Sequence, residues 1–214
     1  MSIKSNWLSS CGLLAVVTAC LLFTGCGFHV QVKEPIEPFA VDQPLLNVIQ
    51  LNVQKMEVDS AWLRGGGSLA TDMVSQKLSK VLKQSGVIGD VRLDGTRFGI
   101  RNPTLNVVAQ VEFDSHPWAR FFKALLGVIL LPLLPFFDVT YDATLTADIQ
   151  LLDTLQPAGT RVSSNMTVTH KLFTTDAIPR NTLPLLAEDL SWKIALELKR
   201  HPAWLRPASP AGTP

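Results

Sequence analysis

Asp138–Leu152, DVTYDATLTADIQLL, alternates over its whole length. Val139, Tyr141, Ala143, Leu145, Ala147 and Ile149 fall on one side; Thr140, Asp142, Thr144, Thr146 and Asp148 fall on the other. That period of two belongs to a strand with one buried face and one wet face. The turn residues QPAG follow at 156–159, and RVSSNMTVTHKLF at 161–173 returns as an antiparallel partner.

Working outward, TLNVVAQVEF at 104–113 sets Leu105, Val107, Ala109, Val111 and Phe113 against Asn106, Gln110 and Glu112. NVIQLNVQKMEV at 47–58 does the same with Ile49, Leu51 and Val53. Two segments have helical spacing instead. In LATDMVSQKLSKVLKQSG the stripe is Leu69, Met73, Val74, Leu78, Val81 and Leu82, with Gly86 as the stop. In NTLPLLAEDLSWKIALELKR it is Leu183, Leu186, Ala187, Leu190, Ile194 and Leu198, with Asn181 or Thr182 as the cap and Pro184 in the first turn. The expected fold is an α+β two-layer sandwich. It has a mostly antiparallel four-stranded sheet, two helices on one face, and an apolar inserted segment before the strand at 138.

That insert, residues 117–137, has no place in the plan of the sandwich. Ala124–Phe137 runs fourteen positions without a charged or hydrogen-bonding side chain. As a helix it reaches about 21 Å, short of a hydrocarbon core of about 30 Å, and Pro132 and Pro135 interrupt it. Its flank, HPWARFFK, carries residue types that sit at a membrane–water boundary. The segment is therefore expected to contact a membrane or a partner through Trp118, Phe121, Phe122, Leu125, Leu126, Ile129, Leu130, Leu133, Leu134, Phe136 and Phe137. The competing expectation is a buried core helix. Each buried leucine, isoleucine or phenylalanine would contribute about 1.5–3 kcal/mol as a gross term.

The first 25 residues have the anatomy of an export signal: Lys4, then the apolar core GLLAVVTACLLF, then small residues before a cysteine. FTGCG resembles the bacterial lipobox, although Phe23 stands where leucine is usual. The resemblance implies cleavage before Cys26, diacylglycerol and an N-acyl chain on Cys26, and no other cofactor. Gly27, rather than aspartate, matches the sorting pattern for the outer membrane, with a periplasm-facing, lipid-anchored domain. The chain has 3 cysteines, and Cys11 and Cys20 fall inside the signal. The mature chain thus keeps only Cys26 and has no disulfide.

The domain plan reads 1–25 signal, 26–44 lipidated tether, 45–200 folded domain, and 201–214 flexible tail. The tether carries three prolines, with room for one short strand at FHVQV. Removing the signal takes out Lys4 and no acid, which leaves the charges balanced. No basic surplus points to nucleic acid.

No catalytic set stands out. His29, His116, His170 and His201 are scattered, which leaves no zinc spacing. Asp138 and Asp142 share a strand face but suit a solvated surface. GGGS at 65–68 lacks the lysine of a P-loop, and Trp192 and Trp204 suit packing. CGFH at 26–29 and the order of strands and helices resemble the lipopolysaccharide-assembly lipoproteins, outer-membrane partners of a large β-barrel. The expectation is a non-catalytic accessory lipoprotein whose partners are membrane lipid and an envelope protein complex. The alternative is a lipid-binding or lipid-transfer lipoprotein. An enzyme using Asp138, Asp142 or His170 comes third.

Overall fold

The computed structural model describes residues 29–54, 56–59, 67–93, 102–114, 138–155, 158–171 and 178–206. The apolar segment and Cys26 lie outside these residues. The elements are β1 (His29–Lys33), β2 (Leu46–Val53), β3 (Glu57–Asp59), α1 (Gly67–Gln84), β4 (Ile88–Leu93), β5 (Thr104–Asp114), β6 (Asp138–Leu152), β7 (Ala158–Lys171) and α2 (Ile178–Arg200). A 3-10 turn, Pro202–Leu205, follows.

The four-stranded, mostly antiparallel sandwich is overturned. Among the described residues the sheet has seven strands in the order β1-β7-β6-β5-β2-β4, with β3 also beside β5, and it curls into a half-barrel. Pairing is mixed. β2 runs parallel to both β4 and β5, and β3 runs parallel to β5. β6 is antiparallel to β5 and β7, and β1 is antiparallel to β7. Parallel pairing arises because β2 and β4 are joined by α1, a crossover that returns the chain in the same direction. β2 and β3 share the flank of β5 with a slip. Gln50 faces Thr104 and Glu57 faces Gln110, so the offset falls from 54 to 53. One extra residue is accommodated near Gln54–Met56, a bulge, where the Met56 N–H donates to Thr71 Oγ1 of α1 at 2.9 Å.

The core lies between the sheet and the two helices. The alternation of β6 holds: Tyr141, Ala143, Leu145, Ala147, Ile149 and Leu151 are all buried. So does the α2 stripe, with Leu183, Leu186, Ala187, Leu190, Ile194 and Leu198 inside. In α1, Ala70, Val74, Leu78, Val81 and Leu82 are buried, but Leu69 is 61% exposed. Helix α2 also begins earlier than its predicted cap, so Thr182 is an interior residue and Pro184 sits inside the helix.

Gly86 ends α1 at φ 70, and its N–H donates to Lys83 O at 3.1 Å. A Cβ there would meet Val41 O at 2.5 Å. Gly86→Ala is therefore expected to destabilise the domain by about 1–3 kcal/mol from backbone strain alone, with the clash added. Urea unfolding checks this, and a midpoint equal to wild type would refute it.

Candidate functional site

The described strands lead toward the two expected contact elements from one end of the sheet. β5 finishes at Asp114 and β6 begins at Asp138, with Asp114 opposite Asp142. Residues 115–137 therefore leave and re-enter at this end. β7 finishes here too, with Asp138 opposite Lys171. β1 starts here, since His29 pairs with Thr169, which in turn pairs with Thr140. Cys26 is three residues before His29. The described strands thus end nearest in sequence to the predicted lipid site and to the predicted apolar segment at the same end of the sheet; both lie outside the described residues.

The helices run away from this end. At the far end of the sheet, just past β6, the Leu155 N–H donates to Arg206 O at 3.1 Å, which fixes the end of α2 there. The Val41 N–H donates to Ser85 O at 2.8 Å, which ties the end of α1 to the segment leading into β2.

Residues 29–44, expected as a tether, are extended and packed on the domain. Val30, Val32, Ile36, Phe39 and Val41 rest against the core. The Phe39 ring meets Trp192 edge-on, with centroids 5.6 Å apart, and Lys199 Nζ lies 4.6 Å from the Phe39 ring centroid. The chain turns out of β1 at Glu34, which has φ 56 and is followed by Pro35.

On the wet face near this end the polar groups pair with one another. Thr140 Oγ1 lies 3.2 Å from Thr169 Oγ1. Asp142 takes Lys33 Nζ at 2.9 Å and the Thr167 hydroxyl at 2.7 Å, so this member of the candidate acid pair is occupied structurally. Further down, Arg161 grips Asp148 through two bonds of 2.6 and 2.9 Å. The hydrogen bond from Arg161 holds the Asp148 carboxyl below the ordinary carboxylate range.

A polar link crosses the core and holds α2 to the sheet. The fully buried Ser164 hydroxyl of β7 donates to Asp189 Oδ2 of α2 at 2.5 Å, and Lys193 Nζ lies 3.0 Å from the same oxygen. Elsewhere in the core, burial pushes the Tyr141 phenol up to about 12. A Ser–Asp–Lys arrangement has the composition of a catalytic group. Here the serine is 0% exposed, so its hydroxyl serves the joint between sheet and helix.

Among the described residues, no group of three or more His, Cys, Asp or Glu could hold a metal, and no helix is long and apolar enough to cross a membrane. The backbone of His170 pairs with Val139 in the ladder. The short strand expected at FHVQV is β1, and what sequence reasoning missed is its pairing with β7. The available signal was the alternation in HVQVK, outweighed by the prolines after it.

No family model matches the chain, and no curated protein matches it in sequence. Several solved structures are weakly similar to the chain. A protein assigned as a neuraminyllactose-binding hemagglutinin homolog from Helicobacter pylori is 12% identical, with a TM-score of 0.46 over 80% of this chain and 97% of that one. PelC from Paraburkholderia phytofirmans, solved as a dodecamer, is 10% identical, with a TM-score of 0.34 over 77% of this chain and 97% of that one. A protein assigned as a lipoprotein from Caulobacter crescentus CB15 is 13% identical, with a TM-score of 0.33 over 72% and 90%. Likenesses of this size do not bear on activity.

Proposed function

We propose that the protein is a non-catalytic, lipid-anchored envelope lipoprotein of the outer membrane that faces the periplasm. It acts as an accessory subunit that docks on a membrane complex through residues 117–137. One observation carries this: the chain reaches Cys26 and the apolar segment from the same end of the sheet. An acylated Cys26 places that end at a bilayer, and the apolar residues of 117–137 are then held where lipid and membrane-embedded partners are. The exposed apolar surface of such a segment is stable only when something covers it. The same geometry favours a second reading, in which the segment takes lipid directly.

The test is mass spectrometry on the protein extracted from its native membrane in mild detergent, beside a variant lacking residues 124–137 and a milder Leu130→Asp variant. Under the docking reading, a specific envelope protein co-purifies with wild type and is lost from both variants. Loss of phospholipid or glycolipid alone transfers the function to lipid handling. A Leu130→Asp chain that fails to fold by circular dichroism makes the segment core and ends both readings.

A further inference from the structure

We propose that the upper end of the sheet, at the row His29, Thr169 and Thr140, is a membrane-apposed surface that meets the headgroups of the bilayer holding the acylated Cys26. This rests on the lipidation of Cys26 proposed above. A free tether over residues 26–44 has 19 residues, and a flexible chain of that length spans about 24 Å root-mean-square. The folded chain leaves no such freedom. β1 is hydrogen-bonded to β7 from His29 to Lys33, and Val30 and Val32 pack on the core. Only the three steps from Cys26 to His29 remain, a reach of at most about 11 Å when fully extended.

The row has side chains that suit this position. His29, Thr169 and Thr140 lie side by side across β1, β7 and β6. The two threonine hydroxyls share one hydrogen bond of 3.2 Å, which leaves one hydroxyl proton and the imidazole as donors to phosphate and ester oxygens. Two residues along β6, the Asp142 carboxylate is already paired with Lys33 at 2.9 Å, which offsets its repulsion of anionic headgroups. The far end stands well clear, because the 15 residues of β6 extend about 50 Å.

Residues 26–214 contain no cysteine besides Cys26, and acylation blocks that thiol. Thr140→Cys and Leu155→Cys therefore each give a single labelling position, one in the row and one just past the far end of β6. The full lipidated chain, labelled with a fluorophore, is reconstituted into vesicles of phosphatidylethanolamine and phosphatidylglycerol that contain lipids spin-labelled at the headgroup. The label at position 140 is expected to lose fluorescence to the spin-labelled lipid, and the label at 155 to keep it. Equal quenching at both positions, or an unquenched label at 140 on a vesicle-bound chain, overturns the proposal and leaves the lipoprotein reading standing. Intact-mass measurement without acyl chains on Cys26 overturns both together.

Discussion

Asp189→Ala is expected to lower the stability of the domain by about 3–5 kcal/mol, the usual cost of removing one partner from a buried charge pair. Asp189 is 8% exposed, accepts from the fully buried Ser164, and sits 3.0 Å from Lys193. Its removal strands the buried Ser164 hydroxyl between β7 and α2 and takes the acid away from the partly buried Lys193 ammonium. Against a total of about 5–15 kcal/mol for a typical domain, this single change brings the chain close to unfolding. Asp189→Asn keeps an acceptor for Ser164 but not the charge, and should fall between alanine and wild type. Combining Asp189→Leu with Lys193→Met and Ser164→Ala replaces every member of the link by an apolar group and should recover much of the loss. Urea unfolding at constant slope distinguishes these outcomes. A loss below about 1 kcal/mol for Asp189→Ala would place the pair among ordinary surface ion pairs.

The second large effect concerns attachment. Residues 27–214 exported behind a signal that is cut without acylation should move from the detergent phase to the aqueous phase on phase partitioning, while the acylated chain stays with detergent. Any remaining membrane association belongs to 117–137 and should go when Leu130→Asp is added. A non-acylated chain that stays wholly in the detergent phase, with and without that substitution, would show that Cys26 is not the anchor.

The hairpin of β6 and β7 was legible because fifteen residues of strict alternation can bury one face in only one register. The α2 stripe was legible for the same kind of reason. Strand β4 was not, because Ile88 and Val91 are its buried residues, three apart, with Gly89 and Asp90 between them. At the sheet edge an interrupted strand loses the period of two. Strand direction was also out of reach, since alternation is the same in parallel and antiparallel ladders. The clue was the helix between β2 and β4, which makes a parallel return the natural one. Leu69 fitted the helical stripe yet points out, because a stripe fixes spacing and not where the first turn begins.

The candidate site was legible in part. Cys26 and the residues of 117–137 were picked out from their chemistry, and they lie outside the described residues. What the sequence did not disclose is that the chain approaches both from one end. That depends on β1 pairing with β7 across more than a hundred residues of intervening chain, a long-range contact with no local signature. The prolines at 35, 38 and 44 suggested a loose leader. They serve instead a packed strap that Phe39 holds against Trp192.

The placement of β1 has a mechanical consequence. Tension on the amino terminus acts along the axis of β1, because His29 is the end of the strand nearest Cys26. The rungs to Thr169, Val168, Thr167, Met166 and Asn165 are then strained in shear, all at once, rather than peeled one after another. Beyond Lys33 the load passes through the strap to the aromatic clasp at Trp192 and to the bond from Val41 to Ser85 at the end of α1. Traction on the amino terminus is thus shared between the sheet and both helices before any part of the domain can be drawn out.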